Sequence, residues 1–204
     1  HAQGHATGVS CRDTCGMLCQ GRKVVAFFLC CVTMGLGSSL VESFLFLFLT
    51  QELGSSYLVC GISVVITVSF EIPLFFVSDK LLDTCGVVGL IFIAQCSYAV
   101  RVFGYTFVSN AFLVLAFEPL HGVTYACMKT AMVHFASTSI ARRGLETTAQ
   151  GLTTSTQAFG TIVGQWVGGW VLQEFGSDVL FRGAGVIVLF SAALLLFMDM
   201  LERV

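Results

Sequence analysis

The amino-acid sequence predicts an all-α membrane protein, a bundle of six transmembrane helices, and three observations carry that expectation. The chain of 204 residues is 56% hydrophobic and 11% charged, with a mean hydropathy of +0.88. A soluble domain usually carries about 25% charged residues because its surface faces water, so a soluble globular fold is excluded. The apolar residues gather into six runs, each near the ~20 residues that a helix needs to cross a ~30 Å hydrocarbon core. The charges collect mainly between the runs. Transmembrane β-strands would be about 10 residues long with dyad alternation, and the sequence has no such pattern.

In chain order the predicted spans are Val24–Leu49, Tyr57–Val77, Val87–Phe107, Ala111–Phe135, Thr148–Leu172 and Val179–Met198. The breaks carry turn and charged residues: "QELGSS", "SDKLLDTCG", "GYTFVSN", "STSIARRGLE" and "QEFGSD". Ahead of the transmembrane part, 23–204, lies a polar segment rich in small residues, 1–22, expected to be a flexible cytoplasmic tail or the remnant of a central loop. It does not begin with Met and shows no signal-peptide pattern, so the chain is read as a piece of a longer protein. Cys11, Cys15 and Cys19 recur at every fourth residue. Zinc patterns pair cysteines more closely and need a second pair, so no metal is expected, and juxtamembrane palmitoylation is the other reading.

Lys and Arg set the expected orientation. Arg12, Arg22, Lys23, Lys80, Arg142, Arg143 and Arg203 fall on one side, and Arg182 alone on the other. Under the positive-inside rule both termini are cytoplasmic. No nucleic-acid partner is expected.

The fourth span, "FEPLHGVTYACMKTAMVHF", holds Glu118, His121, Lys129 and His134 in an apolar run. At about 100° per residue, Glu118, His121, Tyr125 and Lys129 fall within an arc of roughly 80°, and His134 points elsewhere. Snorkelling serves Lys129 but not the short Glu118. A carboxylate at the bilayer centre costs about 2.5–3.5 kcal/mol on insertion scales, so Glu118 should face the bundle interior or a wet cavity. Glu42, Glu71 and Arg101 interrupt the first three spans. Counted at ~1.5 Å per residue, they lie within about 8 Å of the span midpoints, as Glu118 and His121 do. Intramembrane ionisable groups mark substrate or proton pathways by default.

In the fifth span Gly160, Gly164 and Gly168 repeat every four residues, the small-xxx-small pattern that lets helices approach closely. Beside them runs a polar stripe of Gln150, Thr154, Gln157, Thr161 and Gln165. It suits either interhelical hydrogen bonds or the lining of a cavity. The expected substrate or proton pathway is therefore Glu42, Glu71, Arg101, Glu118, His121, Tyr125, Lys129 and Gln157.

"FEPLHGVTYACMKTAMVHF", "RRGLETTAQGL" and "GGWVLQEFGSDVLFRGAG" together resemble the carboxy-terminal six helices of the major facilitator superfamily. The most similar branch is its associated-domain group, related to lactose permease and nucleoside–proton symporters. "SDKLLDTCG" resembles the superfamily's G-x-L-x-D-R-x-G loop, keeping Leu81, Asp83 and Gly86 but with Asp79 for Gly and Thr84 for Arg. The resemblance implies one half of a twelve-helix transporter, made of 3+3 inverted repeats around a midplane site, with an amino-terminal six-helix half as partner. It also implies a polar cluster like that of lactose permease at Glu71, Arg101, His121 and Glu118. The Glu-x-x-His order here is the reverse of the permease's.

The expected function is proton-coupled symport of a small polar solute, sugar or nucleoside-like, by a multi-pass protein in a lipid bilayer. No cofactor, metal or enzymatic reaction is expected. An intramembrane serine protease would use Ser38 or Ser39 with His121 but leaves the carboxylates idle. A di-iron site needs Glu-x-x-His twice, and it occurs once. The rival that sequence leaves standing is a non-transporting receptor or scaffold of the same fold.

Overall fold

The computed structural model describes residues 21–141 and 145–203. The readings made of the tail (Cys11, Arg12, Cys15, Cys19) and of the basic pair Arg142 and Arg143 fall outside the described residues. Every regular element among the described residues is helical. Helix α1 (Arg22–Leu47) widens into a turn at Phe48–Glu52, and α2 runs Tyr57–Tyr105. The short α3 (Ala111–Val114) tightens at Leu115–Phe117, α4 covers Pro119–Phe135 and widens at Ala136–Ile140, and α5 runs Glu146–Arg203. Four stretches are long and apolar enough to cross a membrane: Arg22–Glu52, Tyr57–Tyr105, Ala111–Ile140 and Glu146–Leu201.

Two of these turn back on themselves. Gly86 in α2 has φ 68°, ψ 174°, and Gly176 in α5 has φ 81°, ψ 177°. That region of backbone space is essentially restricted to glycine, so each helix bends there into two arms. For α5 the partners along α1 prove it. A Cβ added at Gly160, Gly164 or Gly168 would strike Val32, Leu36 or Leu40 in turn, so the first arm (146–175) runs parallel to α1. In the second arm (177–203), Ser177 bonds Glu52, Ser191 bonds Thr33, and Asp199 pairs with Lys23. That arm runs antiparallel to α1.

The same logic holds for α2 against α4. Thr67 meets Glu118, and Phe75 meets Tyr125 edge-on, so the first arm (57–85) is parallel to α4. Tyr105 meets Glu118 and Arg101 meets His121, so the second arm (87–105) is antiparallel. Thus α1 packs on both arms of α5, and α4 on both arms of α2.

Two local expectations change. "SDKLLDTCG" and "QEFGSD", read as loops, are helical up to their single glycine, because one residue with positive φ reverses the chain with no loop. The fourth span is not one helix. Pro119 has no N–H to give a preceding turn, and it starts α4 at its first position after the tightened turn at Leu115–Phe117. Glu118 is held at that junction.

The centre of the bundle is α1. Phe27, Cys30, Cys31 and Met34 are buried against a core that includes Leu90, Ile91, Tyr98, Phe181 and Val188. One buried polar knot spans three segments: Thr33 and Gln95 both donate to Ser191 Oγ, at 2.8 and 2.7 Å. Satisfying these groups internally is obligatory where no water reaches.

Candidate functional site

The site is built where the second arm of α2 crosses the start of α4. Arg101 sits one turn before Tyr105, and Glu118 about one turn before His121, so each helix presents two polar side chains on one face. Glu118 is 1% exposed and Arg101 3%. They form an ion pair of 2.8 Å, Arg101 Nη2 to Glu118 Oε2. Such a pair persists in a dry interior only when further hydrogen bonds satisfy it, and here they do. Thr67 Oγ1 donates to the same Oε2 at 2.9 Å, and Tyr105 OH donates to Oε1 at 2.6 Å. Arg101 Nε donates in turn to the Tyr105 oxygen.

Arg101 Nη1 lies 2.7 Å from His121 Nδ1. Guanidinium has only donors, so Nδ1 accepts, and the imidazole is neutral with its hydrogen on Nε2. Every partner of Glu118 donates to it, so the carboxylate is ionised in this arrangement. The guanidinium thus meets three protein partners, Glu118, Tyr105 and His121.

A cavity of about 360 Å³ opens beside this cluster. Glu118, Arg101 and His121 form one wall, Ser63, Thr67 and Glu71 of the first α2 arm another, and Val41, Glu42, Leu45 and Phe46 of α1 a third. Glu42 and Glu71 thus face the same space as the ion pair. Neither makes a hydrogen bond or an ion pair among the described residues. Arg101 and Lys129 reach Glu42 only through longer-range attraction.

The remaining predicted residues continue away from the ion pair along α4. His121 stacks on Tyr125 with ring centroids 5.9 Å apart, and Lys129 Nζ lies 5.5 Å above the Tyr125 ring. Lys129 Nζ donates to Gln157 Oε1 at 2.7 Å. Lys129 and Gln157 do not line the 360 Å³ cavity. They border a smaller one together with His121 and Tyr125. Gln157 and Thr161 of the polar stripe bond Lys129 and the Gly35 carbonyl, and Gln165 reaches Ser43. Gln150 and Thr154 line a recess with Lys129. The stripe serves both of the roles that suited it.

Thr67 and Tyr105 were not singled out from the sequence, although each bonds Glu118 directly. A signal for them existed. Thr67 stands four residues before Glu71 and Tyr105 four after Arg101, so helical spacing puts each on the face of a residue already chosen.

A sequence profile of the MFS_1 like family matches residues 5–183. The chain belongs to the MFS_1 like family. One curated relative, the major facilitator superfamily domain-containing protein 6-like protein B of Xenopus laevis, is 25% identical over 178 residues. The match covers 85% of this chain and 28% of that relative, so the chain spans less than a third of the relative's length. Membership of the MFS_1 like family, with helices long and apolar enough to span a bilayer, makes this an integral membrane protein.

Proposed function

We propose that the chain is one six-helix half of a twelve-helix secondary transporter and that it couples the movement of a small solute to that of a proton. The two α2 arms and the two α5 arms are then separate spans, giving six with α1 and the Ala111–Ile140 stretch. The fold supports this reading. Each helix that begins a three-span unit, α1 or Ala111–Ile140, packs on the hairpin of the other unit, so the two units are packed in the same way, as repeats are.

The observation that carries the function is the buried Arg101–Glu118 pair on the wall of a 360 Å³ cavity, bonded also to Tyr105, Thr67 and His121. A proton on Glu118 would cancel its attraction for Arg101 and free the guanidinium, so protonation and wall geometry are one event. Alternating access needs a two-state element of that kind. Symport is the direction this coupling favours: Glu118 lies in the wall of the cavity, so a proton there and a solute in the space are held side by side. The sugar or nucleoside-like class rests on the resemblance to permeases and symporters.

The test is reconstitution of the full-length protein in liposomes with an imposed pH gradient. Glu118→Gln keeps shape and some hydrogen bonding but cannot exchange a proton. It should abolish accumulation against a gradient while downhill exchange continues. Unchanged uphill uptake would leave Glu118 a structural partner. Specific solute binding without any flux in the unmodified protein would favour the receptor or scaffold reading.

A further inference from the structure

We propose that the solute is an organic cation, and that Glu42 and Glu71 select for its charge. The proposal rests on the transporter reading in taking the 360 Å³ cavity as the solute's site, and it replaces the sugar or nucleoside-like class, which rests on resemblance alone, with a charged one. The charge balance of the cavity carries it. Three carboxylates line the space, Glu42, Glu71 and Glu118, against one guanidinium. Arg101 and Glu118 neutralise each other at 2.8 Å. Two more of Arg101's five donors go to Tyr105 and to a neutral His121. Lys129 is not on this wall, and its ammonium is held by Gln157 and the Tyr125 ring. Two carboxylates therefore face the cavity without a hydrogen bond or ion pair among the described residues.

Unpaired carboxylates inside a membrane protein are costly, and a cation in the space they line recovers part of that cost. An anion would meet two like charges lining the space, which opposes its binding. The rest of the lining suits the body of such a solute. Val41, Leu45, Val64 and Val68 are apolar, and Phe46 offers an aromatic face, to which a cation is attracted. A pocket of a few hundred Å³ with apolar walls and few polar groups is typical of small-molecule sites. The class that fits is a monovalent amine or quaternary ammonium carrying a compact apolar group. The coupling proton belongs to Glu118, and the solute's charge to Glu42 and Glu71.

The experiment uses the purified full-length protein in lipid nanodiscs and radiolabelled benzyltrimethylammonium as probe. The neutral benzyl alcohol and the anion benzoate serve as competitors. Saturable binding of the cation is expected, unaffected by benzoate. Glu42→Gln and Glu71→Gln should each weaken it about tenfold or more, as loss of a charge-assisted contact does. Glu42→Asp and Glu71→Asp, which keep the charge, should retain most of it. No variant is needed for a second readout: the bound cation should protect Glu42 and Glu71 from carbodiimide labelling, read by peptide mass spectrometry. Absence of saturable binding, equal binding by the double Gln variant, or undiminished labelling would each overturn the proposal.

Liposome uptake separates this from the transporter reading. Uphill uptake of lactose or uridine by a protein that binds no cation overturns the charge assignment and leaves transport standing. Cation binding that depends on both carboxylates, without flux of any probe, supports the assignment and sinks transport.

Discussion

Glu118 accepts hydrogen bonds from Arg101, Tyr105 and Thr67, and those residues come from two different helical arms. Such a network holds its charge only while all members remain. Tyr105→Phe removes one donor to the carboxylate and one acceptor from the guanidinium. It should destabilise the protein by about 1–3 kcal/mol, the cost of leaving a buried polar group unsatisfied. Arg101→Ala strands the carboxylate and should cost more, about 3–5 kcal/mol. Combining Arg101→Ala with Glu118→Gln should restore part of that loss, because no buried charge is left alone. Thermal unfolding of the four proteins in one detergent measures the cycle. Strictly additive losses would show that the pair contributes nothing as a unit.

At the scale of one element, the first arm of α5 meets α1 through glycine. A Cβ at Gly160 would stand 2.0 Å from the Val32 carbonyl oxygen, whereas one at Gly151 would meet nothing within 4 Å. Helix propensity favours alanine over glycine at both positions by about 0.5–1 kcal/mol. Gly151→Ala should therefore be neutral or slightly stabilising, and Gly160→Ala destabilising, since backbone must move to make room. Gly164→Leu, with Ser39 Oγ at 2.3 Å from its would-be Cβ, should lower the folded yield more severely. Fluorescence-detected size exclusion with a melting series checks all three. Normal yield and melting of Gly164→Leu would remove the close-packing role. Without a hydrophobic force between helices in lipid, such contact is a main source of association.

For the whole molecule the open question is direction. The bias of Lys and Arg predicts that the bend at Gly86 faces the cytoplasm, as do the two ends tied by Lys23 and Asp199. Cys85, exposed beside that bend, gives the measurement. A membrane-impermeant maleimide should label it only after intact cells are opened. Labelling from outside would invert the orientation and place Glu52 and Ser177, at the opposite end of the bundle, in the cytoplasm.

Sequence alone determined the class of molecule and singled out the ionisable residues within its apolar runs. Composition and run length dictate membrane helices because lipid tolerates no unsatisfied backbone and few charges, and those constraints act on every residue locally. They also marked Glu42, Glu71, Arg101, Glu118 and His121, since each stands out against an apolar run. Which of them touch was decided only in three dimensions. Glu118 and Arg101 are paired, while Glu42 and Glu71 are left facing the cavity, because two glycine bends fold the long helices into arms and set the angle at which each side chain arrives. Helical spacing fixes the face of a residue on its own helix and says nothing about the rotation of the neighbour. Thr67 and Tyr105 carried only the weaker signal of helical spacing from Glu71 and Arg101: a threonine and a tyrosine cost little in an apolar span, so residue type does not separate the ones that close a network from the ones that face lipid.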